Sequence, residues 1–210
     1  MTLADAQMLA IRKLLSKSTN DAALIPGPPL PKSHPSPILI AKLYLEASAL
    51  FATSRGLVTT SAGSSLKLKR DDGQVASSLR QYLTQMQTLS SLQAHQWLGV
   101  DAGEMGNLGE ALGFLLWAQE ELASIDSEHR DRKKIKKQLE SFTAGYKREN
   151  DSIHFQPVLT RDELRAKIPS GRAAVAIKSY QIPKLASALD EGATEVDRTP
   201  GSAQGNDRYF

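Results

Sequence analysis

Cysteine is absent from this 210-residue sequence. That excludes a disulfide framework, a cysteine-based zinc site, a thiol nucleophile and a prenylated C-terminus, and it suits a reducing, cytoplasmic setting. Histidine is also scarce: His34, His95, His129 and His154 are the four, and no two share the spacing of a helical metal site. Each is expected at the surface or at a helix end. Serine is common, but no Gly-x-Ser-x-Gly elbow presents one as a nucleophile. The glycines near 99–106 are not followed by Gly-Lys-Ser/Thr, so no phosphate-cradling loop is expected there. Long apolar runs are missing as well, and the N-terminus shows no basic region leading into an apolar stretch. The expectation is a soluble, unsecreted protein with no membrane span, no enzyme chemistry, no cofactor and no metal.

What is present is 40% hydrophobic residues, enough for a packed core, and a net charge of +3. The charge is local. Residues 127–149 hold eight Lys/Arg against four Asp/Glu, so the rest of the chain sums to about −1. Arg130, Arg132, Lys133, Lys134, Lys136 and Lys137 carry most of it. Three readings compete: a solvated helix face balanced by Glu128 and Asp131, a landing site for an acidic helix or weak contact with an anionic membrane, and a nucleic-acid site. The absence of interleaved aromatics argues against nucleic acid.

Periodicity predicts helices throughout. Leu3 to Leu15 is rich in strong helix formers, with Leu3, Gln7, Ala10, Ile11 and Leu14 at helical spacing and Thr2 able to cap. The prolines between Ile25 and Pro31 end it in a stiff, extended linker. Ser36-Pro37 opens a second helix, Ile38 to about Ser54, closed by Gly56, whose first turns are apolar all round. Residues 59–73 read as a surface loop. A third helix runs to about Gly103 with Val75, Leu79, Tyr82, Met86 and Leu89 as its seam, and a fourth follows the turn at Glu104–Asn107. A fifth, about Ser127 to Arg148, turns Ile135, Leu139, Phe142 and Tyr146 inward. Gly99, Gly106, Ala111 and Ala118, spaced by seven, five and seven, match the small positions of a tetratricopeptide-type helix pair. Ile153–Pro183 is expected to be an extended strap, with a short strand as the alternative at Ala173–Ile177. The fold class is therefore all-α: antiparallel helix pairs with a tetratricopeptide-like core, an extended C-terminal strap over residues up to 183, and a flexible, disordered tail at 184–210.

In this order, LADAQMLAIRKLL, PILIAKLYLEASALF, LSSLQAHQWLGVDAGEMGNLGEALGFLLWAQEEL and NDSIHFQPVLTRDELRAKIPSGRAAVAIKSYQIP together resemble the C-terminal half of a BRO-one-type domain. That is the helical module of ESCRT-associated adaptors. Ser179 stands where the family often has proline, and Ala166–Ala173 with Lys178 and Tyr180 is similar to the family's single-domain fungal branch. The resemblance implies binding as the activity, with the amphipathic C-terminal helix of a core ESCRT-III subunit held on an apolar patch. Aligned residue by residue, the patch falls on Leu39 and Leu43, one helical turn apart, with Lys42 between them and Arg172 as a polar contact. The family's aromatic patch residue falls on Ala10, and plain core packing is the competing reading of the two leucines. The resemblance further implies alkaline ambient-pH signalling in fungi. Its parts would be a cortical pH-receptor complex as a second partner, recruitment from cytoplasm to cortical sites or endosomes, and proteolytic activation of a zinc-finger transcription factor. General multivesicular-body sorting is the alternative. Against the family pattern Met1 falls inside the domain, so the sequence is expected to represent about half of one.

Overall fold

The computed structural model describes residues 1–19, 27–64, 72–125 and 131–175, and all regular structure among them is helical. The helices are α1 (Thr2–Thr19), α2 (Pro37–Ser64), α3 (Asp72–Glu104), α4 (Leu108–Ala123) and α5 (Arg132–Glu149), then a π-helical turn at Asn150–His154 and a short α6 (Arg161–Arg165). Successive long helices run antiparallel. The Met1 ammonium donates to Ser54 Oγ at 3.1 Å while Gln7 reaches Leu43, which fixes α1 against α2. The Ile38 N–H donates to Asp101 at one end of the next pair, and Ser48 Oγ donates to the Gln87 carbonyl further along. Gln119 Nε2 donates to Thr143 Oγ1 between α4 and α5.

α3 is the central helix, and from Leu92 to Val100 every residue is buried. It ends in a Schellman turn: Asn107 N–H donates to the Ala102 carbonyl and Gly106 N–H to Gly103, both at 2.9 Å, with Gly106 at φ +81°. Only glycine takes that conformation without steric cost. Before the turn, a Cβ on Gly99 would lie 2.9 Å from the Ala111 carbonyl oxygen and from Leu115, so the α3–α4 approach depends on the missing side chain. Ala111 and Ala118 are fully buried along the same contact. Ile135, Leu139, Phe142 and Tyr146 seal α5 onto this pair as the periodicity predicts.

Several local expectations are corrected. α2 does not stop at Gly56 but continues to Ser64, and a Cβ at Gly56 would meet open space. Thr59 Oγ1 donates to the Arg55 and Gly56 carbonyls, so the hydroxyl that suggested a loop is satisfied within the helix instead. α3 begins at Asp72, leaving 65–71 of the expected loop outside the described residues. On α1 the buried stripe is Ala4, Gln7, Met8 and Ile11, and Leu3 is exposed. On α3 Leu83 takes the buried place expected for Tyr82, whose hydroxyl donates to Asp5 at the surface; the Val75 side chain lies outside the described residues.

A 23-residue stretch of α2, Pro37–Thr59, is long and apolar enough to cross a membrane by length and composition, contrary to the sequence expectation. Packing accounts for part of that apolarity, since 33% of its most apolar window is buried. Ile40, Ala41, Tyr44, Ala47 and Phe51 are core residues facing α1 and α3, and a helix with neighbours on two sides is apolar on both.

After the π-helical turn the chain becomes an irregular strap broken by α6, with no strand among the described residues. Residues 176–210 lie outside them, as do Ile25 and Pro26 of the expected linker. The strap first lies on α4. A Cβ on Gly109 would strike the Pro157 carbonyl oxygen, and one on Gly113 would come within 2.8 Å of the Leu159 carbonyl oxygen. Arg161 pairs with Glu120 while its guanidinium sits 5.7 Å above the Trp117 ring, and Lys167 pairs with Glu110 at 2.5 Å. By residue 171 it has reached α2 and α1.

Candidate functional site

The four residues singled out in the sequence lie where the strap meets the α1–α2 pair. Leu43 is 6% exposed and belongs to the core. Leu39 is half-buried, packed against that core with part of its side chain at the surface, and Lys42 is half-buried as well. Arg172 is exposed, and its main chain joins it to the others: its N–H donates to the Lys42 carbonyl at 2.9 Å. Gly171 permits the approach, since a Cβ there would lie 2.8 Å from the Glu46 nitrogen. Ala10 is half-buried on α1.

Gln7 organises this junction and was legible only as one member of a helical stripe. Its Nε2 donates to the Leu43 carbonyl at 3.0 Å and to the Arg172 carbonyl at 2.9 Å, while its Oε1 accepts from the Ala174 N–H at 2.8 Å. At 5% exposure the amide has every polar atom engaged. The available signal was a glutamine flanked by Ala4, Met8 and Ile11 on one buried face.

Gln156 plays a matching part at the strap's other end. Its Oε1 accepts from the Gly109 N–H at 3.0 Å, an N-terminal α4 amide without a carbonyl of its own, and its Nε2 donates to the Gly106 carbonyl at 2.9 Å. Asn150 fixes Gln156 in turn, donating to its carbonyl at 3.0 Å and accepting from its N–H at 2.9 Å. Phe155, between them, is held in the left-handed region at φ 51°.

Burial rather than ion pairing dominates the electrostatics near α2. Burial pushes the Tyr44 hydroxyl up from 10.0 to about 12, because the phenolate would lose its hydration. Burial also raises the Asp101 carboxyl, partly offset by the bond it accepts from the Ile38 N–H. That carboxylate serves α2 as a side-chain cap supplied from α3.

His95 departs from its expected surface place. It is 3% exposed, stacked on Trp117 at 4.1 Å, with Nδ1 2.9 Å from Glu121 Oε2. Ser91 Oγ donates to the other Glu121 oxygen at 3.0 Å. Serine and histidine both bond the carboxylate rather than each other, so nothing here prepares the serine to lose its proton. The trio ties α3 to α4.

The profile of the BRO1-like domain matches residues 1–198. The chain belongs to the BRO1-like domain family. It is also similar to the pH-response regulator protein palC of Cryptococcus neoformans var. neoformans serotype D (strain B-3501A), with 34% identity over 230 residues. That match covers 86% of this chain and 47% of the relative, so the chain spans about half the length of the curated relative it matches. In this BRO1-like domain the match takes in both α1–α2 and the strap, the parts that Gln7 joins.

Proposed function

We propose that this BRO1-like chain is a non-enzymatic adaptor in fungal ambient-pH signalling, and that α2 with the edge of the strap receives the amphipathic C-terminal helix of a core ESCRT-III subunit. Leu39 makes the apolar contact, Leu43 supports it from the core, and Lys42 and Arg172 supply rim charges that orient the incoming helix. The observation that carries this reading is the Arg172 to Lys42 main-chain bond, which makes residues 130 positions apart one continuous surface around a partly exposed leucine. The palC relative, named as a pH-response regulator, supports the pathway. Cytoplasmic residence, recruitment to cortical receptor sites or endosomes, and promotion of transcription-factor processing follow from the same reading.

Leu39→Asp tests it directly. Binding of a fluorescent ESCRT-III C-terminal peptide, read by anisotropy, should weaken at least about tenfold with helical content unchanged, as expected for loss of a partly buried apolar contact. Unaltered affinity refutes the surface. Leu43→Asp is expected to unfold the domain, since it buries a charge without a partner. A deletion strain should fail to grow at alkaline pH; normal alkaline growth with missorted vacuolar cargo would favour general multivesicular-body sorting.

A further inference from the structure

The outward face of α5 takes no part in the packing described above. Lys133, Lys134, Lys136, Lys137, Lys147 and Arg148 are exposed, while α5 is held by its apolar face, by the bond Thr143 accepts from Gln119, and by residues 27–28, which come up against Ser141 and Gly145. Glu140 lies 3.7 Å from Lys136, which partners that carboxylate, and the exposed Glu149 has the His154 ring 3.6 Å away. The result is a basic cluster at each end of an 18-residue helix, about 27 Å long at the usual rise, with no basic side chain at 138–146 between them.

Both ends of the helix carry something a solvated helix does not need. At its start, a shallow cleft of about 240 Å³ between α4 and α5 is lined by Arg132 and Lys136 among others. Arg132 Nε is buried there with no hydrogen-bond partner among the described residues, a donor suited to an anionic oxygen, and Glu140 lines the same cleft. Just past its end, Ile153 is 68% and Phe155 74% exposed. Phe155 sits on a fixed main chain. Its left-handed backbone is locked by its own N–H donating to the Asn150 carbonyl at 2.7 Å and by the Asn150–Gln156 bonds on either side. A non-glycine residue held in that conformation to present an aromatic ring to water is a feature that wants a use.

We infer that the outward face of α5, with Ile153 and Phe155 at its end, docks on an anionic lipid bilayer, the lysines meeting the headgroups and the two apolar side chains entering the interface. Lysine predominates over arginine among the exposed basic residues of α5, which favours a diffuse anionic surface over the planar, bidentate recognition that arginine provides. No aromatic interrupts the basic run as a base-stacking platform would require, while an aliphatic and an aromatic side chain together at one end match interfacial insertion. Combining charge with apolar insertion supplies the two signals that stable but reversible attachment needs.

Sedimentation of the full chain with vesicles tests the inference. Binding is expected to phosphatidylcholine vesicles containing phosphatidylserine, falling as salt is raised, with little binding to phosphatidylcholine alone. At about fivefold per basic charge, Lys133→Glu with Lys137→Glu should lower partitioning roughly a hundredfold or more; Lys133→Gln with Lys137→Gln is the milder pair if circular dichroism shows lost helix. Phe155→Trp should give a fluorescence blue shift on the charged vesicles. Equal binding to both vesicle types, indifference to the lysine substitutions, no shift from the introduced tryptophan, or binding confined to an oligonucleotide or an acidic peptide would each overturn it. The ESCRT-III peptide should bind the lysine variants normally, which separates this surface from the one on α2.

Discussion

Gln7 is the sharpest place to test how the strap is held. Its amide makes three hydrogen bonds, two of them to Arg172 and Ala174 of the strap and one to the Leu43 carbonyl. Gln7→Met keeps nearly the same shape and removes all three. Each such bond has a net value near 1 kcal/mol, and the Leu43 carbonyl lies within α2, so the expected loss is about 2–3 kcal/mol. Arg172 and Ala174 are exposed, so their freed groups can be rehydrated if the strap lifts. The loss should therefore show first as local opening. Hydrogen exchange read by mass spectrometry should lose protection at the Arg172 and Ala174 amides, whereas peptides from α3 and α4 should change little. If lifting is resisted, the whole cost appears in the melt, a fall of about 4–12 °C for a domain of this size. Gln7→Glu should be worse than Gln7→Met, because a carboxylate cannot donate to either carbonyl it would face. A methionine variant with wild-type exchange and an unchanged melting temperature refutes the claim that this amide fastens the strap.

Gln156→Ala leaves the Gly109 N–H and the Gly106 carbonyl without partners, which should lower stability by about 2–4 kcal/mol in a denaturant titration. An effect below about 0.5 kcal/mol would show that water replaces the side chain. Tyr44 predicts a loss of stability in strong alkali. Its folded-state value is raised from 10.0 to about 12, so its contribution is complete below pH 10 and disappears as pH rises through 12. The total is on the order of 3 kcal/mol, and Tyr44→Phe should flatten that part of the stability curve.

The helices were legible because their apolar periodicity is strong, and the inward set on α5 was read without error. Boundaries were harder. Gly56 and the serine and threonine residues after it are poor helix formers, and nothing local reveals that α2 is carried through them. Leu39 and Leu43 could be placed on one face, but their different burial depends on the strap and on α1, which sequence spacing does not describe. The roles of Gln7 and Gln156 were missed for a shared reason. A glutamine that replaces main-chain partners looks, in sequence, like any polar residue, and only the positions of distant carbonyls give it a role. His95 misled in the opposite sense, since its burial is made acceptable by Glu121, 26 residues away.

The bonds at Gln7 link residues 165 and 167 positions apart. On a ribosome, at about 5–20 residues per second, α1 therefore waits roughly 8–33 s after its own synthesis before the strap can meet it. During that interval α1, α2 and α3 can pair, since each is joined to the next in sequence, while the groove destined for residues 171–174 stands open with a buried-face amide still bonded to water. A nascent chain is thus at its most adhesive along the surface that the finished protein is proposed to offer its partner, and closure of the strap is the step that separates folding from function.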